Sequence, residues 1–320
     1  MAAVLLIVLG VILAVEFIIG NISNGFIALV NCLDWIKKRK TKTCDQILTA
    51  LAISRLGMMW SVFLPKLIFA YHPALEMTKK VSKMMHNSRI VSSHFSIWFA
   101  TSLSIFYFLK IAMFSNSVFL YFKWRVKKVV MVTMLVSLGL LFSNIALSNM
   151  KIELWFKGHK DNKTSNSSLG EFAQAFWIFL FTDTVFMMIP FTLSLITFLL
   201  LILSLWRHLR RLQISATGSR DASSKAHLRC LQTMIVFLVL CTIFSLSLLL
   251  QIWSFALKGR YLITMVSQVF SILYPSGHSC VLILTNNKLR QASLHTLCWL
   301  QYRLKCAESI FHLPTRRSSP

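Results

Sequence analysis

Seven long apolar stretches restrict the fold of this chain more than any other feature of its sequence. They lie at about 2–33, 47–70, 90–117, 129–149, 173–206, 230–257 and 262–285, with polar loops between them. About 20 apolar residues are enough for a helix to cross a bilayer, and a single segment satisfies its backbone hydrogen bonds there only as a helix. The chain is therefore predicted to be an all-α membrane protein: one domain, 1–320, forming a seven-transmembrane helix bundle with residues 286–320 as a tail.

The composition excludes an ordinary soluble protein. Hydrophobic residues make up 56% of the 320 residues and charged residues only 14%, whereas soluble domains carry about 25% charged residues. The net charge of +24 does not indicate nucleic-acid binding, because the basic residues lie in loops between apolar stretches and accompany no nucleic-acid-binding motif. No metal or cofactor is predicted, since the seven cysteines form no CxxC pair and HExxH is absent.

The distribution of Lys and Arg predicts the orientation of the bundle. Of the 34 Lys and Arg residues, 21 fall in the first, third and fifth loops and the tail, and 10 fall in the other loops. Cytoplasmic loops carry the excess of basic residues, so the N-terminus is predicted to be extracellular and the C-terminus cytoplasmic. Two glycosylation sequons, at Asn162 and Asn166, lie in a loop that this orientation puts outside.

With this orientation every cysteine lies in a span or on the reducing, cytoplasmic side. No extracellular disulfide is therefore predicted to staple the outer loops. Cys298 and Cys306 lie in the basic tail, where two interpretations stay open: palmitoylation or plain free thiols.

The third stretch is apolar overall but carries polar residues along its whole length, including Ser93, Thr101 and Lys110. Lipid offers such groups no hydrogen-bonding partner, so they are expected to face other helices or a wet cavity. This pattern predicts that the third span is the buried centre of the bundle.

Four polar residues are predicted to form a layer across spans one, two and seven. Arg55 lies about 12 Å inside the second stretch at about 1.5 Å per residue, and Asn24, His278 and Ser279 come to similar depths. Because no carboxylate is available at that level, Arg55 is expected to bond to carbonyls, hydroxyls and water. Two roles stay open for this layer, structural support or switching, and Lys110 at the inner end of span three is grouped with it.

The outer halves of the spans carry the polar and aromatic residues typical of a small-molecule pocket. The polar residues are Arg89, Ser93, His94, Gln251 and Gln268, and the aromatic ones are Phe186 and Phe244. Whether these side chains converge is left open by the sequence.

Two other classes of membrane protein have less support. The run Pro275-Ser276-Gly277-His278 matches the central motif of membrane lipid phosphatases, but the chain has no Arg-Pro dipeptide and lacks the later Ser-Arg…His…Asp motif. A transporter would show repeated halves with broken helices, and the sequence contains no such repeat. No catalytic residue is predicted.

Short motifs in five of the spans carry a family resemblance. They are Gly20-Asn21 with Asn24-Gly25-Phe26-Ile27, Leu51-Ala52-Ile53-Ser54-Arg55, Phe106-Tyr107-Phe108-Leu109-Lys110-Ile111-Ala112 with Phe114-Ser115-Asn116, Pro190-Phe191-Thr192-Leu193, and His278-Ser279 with Lys288-Leu289-Arg290-Gln291. Together they make the chain similar, over essentially its full length, to the bitter taste receptors, a seven-helix family of G-protein-coupled receptors. Vomeronasal pheromone receptors are the alternative, and Leu51-Ala52-Ile53-Ser54-Arg55 argues against them.

The resemblance implies a plasma-membrane receptor with an agonist pocket between spans three, five, six and seven. The matching positions are Arg89, Ser93, His94, Phe186, Phe244, Ser247, Gln251 and Gln268. Arg89 stands where many relatives have tryptophan, and Ser93 where many have asparagine, so a preference for anionic or hydrogen-bond-accepting compounds is expected. The implied partners are small bitter agonists, the lipid bilayer and a heterotrimeric G protein of the gustducin type, and homo- or hetero-oligomers are left open.

Overall fold

The computed structural model describes residues 2–39, 42–71, 78–161, 168–215, 222–253 and 260–311. Within these ranges the chain forms seven long helices, two further helices and no strand. The long helices, called spans one to seven, are Ala2–Lys38, Thr43–Tyr71, Lys79–Ile111, Val126–Asp161, Ser168–Ser215, Ala222–Trp253 and Arg260–Thr285. A linking helix, Ser117–Trp124, joins spans three and four, and a C-terminal helix, Asn287–Phe311, follows span seven.

Most of the spans are long and apolar enough to cross a bilayer. Five segments qualify within the described residues: Val4–Lys38, Thr43–Ile68, Lys79–Ile111, Val126–Leu154 and Thr184–Arg207. Span six contributes a shorter apolar segment, Ile235–Gln251, and span seven is more polar because it buries side chains such as Ser271 and His278. The predicted all-α, seven-helix fold is confirmed, while the sidedness of its termini stays a prediction.

The two ends of the bundle differ in their polar residues and are named accordingly. The basic end carries Lys42, Lys110 and Lys288, where spans two, three and seven begin or end. The glutamine end carries Gln251, near the last turn of span six, and Gln268 in span seven.

Span three lies at the centre of the bundle, where it packs against spans two, four and five. Nine of its residues are buried, and four of these are small and polar: Ser96, Thr101, Ser102 and Ser104. Lipid tails are as apolar as leucine, so membrane helices associate by close packing and hydrogen bonds, and small residues allow both. The polar residues of span three therefore mark its helix-facing sides, as their frequency predicts.

The largest cluster of buried apolar residues lies toward the basic end and draws on several spans. It includes Leu51, Leu103, Leu109, Leu201, Phe237 and Leu282. A smaller cluster around Leu13, Met59 and Ile272 joins spans one, two and seven nearer the glutamine end. The polar layer described below lies among these apolar contacts.

The observed limits of span three correct the predicted stretch 90–117. The helix begins earlier, at Lys79, and ends at Ile111 because Ala112 is extended, with φ −61° and ψ 144°. The Asn116 side chain then accepts a hydrogen bond from Val118 N at 3.0 Å and starts the linking helix. Asparagine is a strong N-cap, but the apolar composition continues across the break and hides it.

The C-terminal helix is an element that the sequence analysis did not predict, because it described residues 286–320 only as a tail. Asn286 starts it: its side-chain oxygen accepts hydrogen bonds from Lys288 N at 3.0 Å and Leu289 N at 3.4 Å. Leu289 is fully buried, whereas Leu297 and Leu304 are exposed. The helix escapes a search for long apolar stretches because polar and charged residues interrupt the apolar ones along it.

Gly20 allows spans one, two and seven to approach closely. A Cβ added there would overlap Met59 Sδ and lie 3.2 Å from Ser276 Cβ. We expect Gly20→Val to lower the free energy of unfolding by about 1–3 kcal/mol, as overpacking does elsewhere, measured as a lower melting temperature of the detergent-solubilised protein. Gly25→Val is the matched control, because an added Cβ at Gly25 meets no atom within 4 Å, and equal effects of the two changes would contradict the packing argument.

Candidate functional site

A polar layer joins spans one, two and seven in the interior of the bundle. The Arg55 guanidinium donates to Ser279 Oγ at 3.1 Å and to His278 Nδ1 at 2.6 Å. Ser279 Oγ donates to Asn24 Oδ1 at 2.7 Å, and Asn24 Nδ2 donates to the Pro275 carbonyl at 3.2 Å. The structure therefore brings together Asn24, Arg55, His278 and Ser279, and all four are buried.

Neutral groups and an aromatic ring hold the Arg55 cation in this layer. Within the described residues Arg55 forms no ion pair with a carboxylate, and its guanidinium carbon lies 4.9 Å from the centroid of the Tyr274 ring. Because a guanidinium only donates hydrogen bonds, His278 Nδ1 must accept, so the neutral imidazole carries its proton on Nε2. Arg55 Nε is buried with no hydrogen-bond partner in the part of the chain that the structure describes. The layer thus depends closely on how spans two and seven lie against each other.

Two pairs of hydroxyl groups join spans three and five. Thr101 Oγ1 lies 2.8 Å from Ser194 Oγ, and Ser104 Oγ lies 3.0 Å from Thr197 Oγ1. All four residues are buried. The sequence analysis named Thr101 as a polar residue of span three, but the sequence contained no signal that paired Thr101 or Ser104 with span five.

We expect Thr101→Val to lower the free energy of unfolding by about 0.6–1.7 kcal/mol, the range of interhelical hydrogen bonds in membranes. Valine keeps the shape of the side chain but cannot bond to Ser194. Thr133→Val is the matched control, because within the described ranges Thr133 Oγ1 bonds only to the carbonyl of Val129 in its own helix. Melting temperatures in detergent check this, and a loss in the control as large as that in Thr101→Val would contradict an interhelical contribution.

A cavity of about 590 Å³ lies toward the glutamine end between spans two, three and seven. Its lining includes Lys66, Met85, His86, Arg89, Met265 and Gln268. Arg89 also donates a hydrogen bond to Gln251 Oε1 in span six. Three of the predicted pocket residues, Arg89, Gln251 and Gln268, are therefore at or beside this cavity.

The cavity is electropositive and contains an unpaired acceptor. Lys66 Nζ contacts only a weak acceptor, Met265 Sδ, at 3.4 Å, and neither Lys66 nor Arg89 forms an ion pair within the described ranges. Gln268 Oε1 is buried and has no hydrogen-bond partner among the described residues. Two cations beside an unpaired oxygen suit a small molecule that carries an anionic group and a hydrogen-bond donor.

The other five predicted pocket residues do not line this cavity. His94 contacts the rings of Phe95 and Trp98 in its own helix and interacts with the Ser137 backbone in span four. Phe244 is buried and stacks on Tyr274 with ring centroids 4.9 Å apart, and Ser247 Oγ donates to the Phe244 carbonyl. Ser93 and Phe186 are half-buried in spans three and five. Their assignment to the pocket stays a prediction.

Span two contributes to the cavity, although the predicted pocket includes only spans three, five, six and seven. Lys66, Ser61 and Pro65 come from this span. Lys66 is the residue that sequence reasoning should have found, because a lysine inside an apolar stretch is a functional hypothesis by itself.

The basic end holds the remaining predicted residue, Lys110, which is not part of the polar layer. Lys110 is exposed in the last turn of span three and lines a second cavity, of about 650 Å³.

Nearby, Lys288 Nζ bonds to Asp34 at 2.8 Å, Asp45 at 3.1 Å and Asn31 at 3.0 Å. Burial lowers the pKa of Lys288, but the hydrogen bonds to Asp34 and Asp45 raise it by more, so its pKa lies above the ordinary value. These contacts dock the C-terminal helix on spans one and two.

Three predicted modification sites fall beyond what the structure describes. Asn162 and Asn166 lie outside the described residues, as does the side chain of Cys306. Cys298 is an exposed thiol on the C-terminal helix, and its lipidation stays a prediction.

Comparison with known proteins gives matches along nearly the whole chain. The model of the taste receptor protein (TAS2R) family matches residues 1–301. Taste receptor type 2 member 14 of Macaca mulatta is 51% identical over 308 residues, covering 96% of this chain and 97% of the relative. The protein of the same name from Homo sapiens is also 51% identical, with 96% of each chain covered. Taste receptor type 2 member 125 of Rattus norvegicus is 49% identical over 313 residues, covering 97% and 99%.

Proposed function

The chain belongs to the taste receptor (TAS2R) family of multi-pass, G-protein-coupled bitter receptors, and we propose that it binds its agonists in the cavity beside Arg89. The observation that carries this proposal is the combination of Lys66, Arg89 and the unpaired Gln268 Oε1 around about 590 Å³ of space. These groups favour small organic anions that also donate a hydrogen bond. A neutral bitter compound would leave Lys66 and Arg89 without an anionic partner, so neutral compounds are expected to bind more weakly.

The contact between Arg89 and Gln251 could couple agonist binding to the packing of span three against span six. An anion that bonds to Arg89 competes with Gln251 Oε1 for the guanidinium, and so changes the contact between spans three and six. A ligand shifts a conformational equilibrium only by its difference in affinity for the two states. A coupling of about 1–3 kcal/mol is sufficient for such a shift.

The G-protein site in this proposal is the basic end, which faces the cytoplasm of a plasma-membrane receptor. The excess of Lys and Arg in the loops at this end supports the orientation. The partner is a heterotrimeric G protein of the gustducin type, docking near Lys110 and the fifth loop. The polar layer, which lies between the two ends, is the element whose rearrangement both ligands would bias.

Catalysis at His278 has no structural support, although the run Pro275-Ser276-Gly277-His278 resembles a phosphatase motif. His278 is buried, and its Nδ1 is engaged by Arg55. A general acid or nucleophile must reach a substrate within hydrogen-bond distance. A vomeronasal receptor is likewise set aside, because the family match is to taste receptors.

The test is calcium release in cells that co-express the chain with a promiscuous Gα carrying a gustducin tail. We expect dose-dependent responses to bitter compounds with a carboxylate or sulfonate group, and none in mock-transfected cells. Glycosylation is checked by the mobility shift on glycosidase treatment, which Asn162→Gln with Asn166→Gln should abolish, and surface expression is measured separately by antibody labelling of an N-terminal tag on intact cells. Silence toward anionic bitter compounds, with the glycosylated protein at the surface, would contradict the proposed agonist class or its coupling.

A further inference from the structure

The cavity at the basic end is bordered by four different elements. It lies between the start of span two, the end of span three, the linking helix and the start of span four, and its volume is about 650 Å³. Six cations contribute to its lining: Lys42, Lys110, Lys123, Arg125, Lys127 and Lys128. None of the described residues that line it carries a carboxylate.

These six positive charges have no counter-ion in the described part of the chain. None of them forms an ion pair with a carboxylate. Asp45 follows two lining residues, Thr43 and Cys44, but its carboxylate is bound by Lys288 at 3.1 Å. The bundle thus concentrates positive charge in a concave site, while the neighbouring carboxylate of Asp45 is paired with Lys288 outside that site.

Two of the six cations, Lys123 and Arg125, bond to neighbouring groups of the chain, whereas the other four are exposed to solvent. Lys123 Nζ donates to the Ala112 carbonyl at 3.0 Å and so closes the end of span three. Arg125 donates to Tyr121 Oη at 3.0 Å and lies 4.6 Å from its ring centroid. Lys42, Lys110, Lys127 and Lys128 are exposed around the opening. Their ammonium groups are free to meet an anion.

The linking helix indicates the depth of the cavity in the membrane. It exposes large apolar and aromatic side chains, with Trp124 88% and Val118 63% exposed, and Tyr121 and Phe122 are exposed beside them. Trp and Tyr concentrate at the membrane–water interface, where their rings lie at the level of the lipid headgroups. A helix of this composition therefore puts the adjoining cations at headgroup level.

We propose that this cavity binds a lipid headgroup that carries two or more phosphate monoesters, as in a phosphoinositide of the inner leaflet. Each phosphate monoester brings a charge of about −1.5 to −2 and three acceptor oxygens, so one such headgroup balances most of the six cations. A single carboxylate or phosphodiester would leave most of them unpaired. The inference rests on the proposed orientation, in which the basic end is cytoplasmic, and basic clusters beside a span on that side attract anionic lipids.

The test uses the purified full-length chain in phosphatidylcholine nanodiscs that contain a fluorescent phosphatidylinositol bisphosphate. We expect Lys42→Gln with Lys127→Gln and Lys128→Gln to raise the Kd for this lipid about a hundredfold, since each basic residue near an anionic surface contributes about fivefold in affinity. The matched control is Lys37→Gln with Arg290→Gln and Arg303→Gln, which removes the same charge outside the cavity and should change the Kd only a few-fold. Equal losses in the two triple variants would overturn the site.

Two further arms distinguish the chemistry and the source of the ligand. Phosphatidylserine nanodiscs should bind far more weakly, and equal affinity would overturn the requirement for phosphate monoesters. Soluble inositol trisphosphate should displace the lipid poorly, and full displacement at equal concentration would overturn the assignment to a membrane lipid. Because binding is measured without agonist or G protein, failure here leaves the receptor proposal intact, and a silent receptor leaves this inference intact.

Discussion

Replacing Arg55 by alanine is expected to lower the free energy of unfolding by about 1.5 kcal/mol or more. The change removes a fully buried side chain, which in protein cores costs about 2–5 kcal/mol for large residues. It also removes two hydrogen bonds from a charged donor, to His278 and Ser279, each contributing about 1.5–3 kcal/mol. Opposing these losses, a cation no longer has to be buried, which saves about 2.5–3.5 kcal/mol on insertion scales. The losses are larger, so the variant should melt several degrees lower in detergent.

A second substitution at this position separates packing from hydrogen bonding. Arg55→Met restores much of the side-chain volume but leaves His278 and Ser279 without their donor, so its melting temperature should lie between those of wild type and Arg55→Ala. Arg290→Ala is the matched control, because Arg290 is exposed on the C-terminal helix. If Arg55→Ala melts like Arg290→Ala, the layer contributes nothing to stability.

The same variants decide between the two roles of the polar layer. With structural support alone, Arg55→Met should lose calcium signalling only in proportion to its loss of surface expression. With a switching role, signalling per receptor at the surface should fall well beyond that.

Replacing Arg89 by tryptophan, the residue that many relatives have here, is expected to change the agonist profile. The variant loses a charge-assisted contact to an anionic agonist, which contributes about 1.5–3 kcal/mol, so the EC50 for such agonists should rise about 10- to 100-fold in the calcium assay. It also frees Gln251 from its bond to Arg89. The calcium response to neutral aromatic agonists should be unchanged or stronger, because an indole ring replaces a cation in the cavity wall.

Two further substitutions test whether charge in the cavity is the cause. Lys66→Met should raise the EC50 for the same anionic compounds, because Lys66 is the second cation of the lining. Lys80→Trp is the matched control: Lys80 is exposed near the start of span three and does not line the cavity. An unchanged agonist profile in Arg89→Trp would remove Arg89 from the agonist site.

The sequence determined the position of residues along the membrane normal. A helix advances about 1.5 Å per residue, so the number of residues between a side chain and the nearest polar loop gives its depth in the membrane. Asn24, Arg55 and His278 come to similar depths in this way, and residues of equal depth can form a layer. The length of the apolar stretches determined the helical fold in the same way, because hydrocarbon tolerates few alternatives. The exact limits of the helices were hidden. Span three begins earlier than predicted, at Lys79, and the breaks at Asn116 and Asn286 were missed because a single capping residue does not alter the local hydropathy.

The tertiary structure alone decided which side of each helix faces which neighbour. Arg89 meets Gln251, whereas His94, five residues further along the same helix, turns toward span four. Lys66 brings span two into the cavity, and Thr101 pairs with Ser194 in span five. The physical reason is that lipid and helix sides are about equally apolar, so hydrophobicity sets depth but does not set rotation. Rotation follows from small residues such as Gly20 and from interhelical hydrogen bonds, whose partners are distant in the chain.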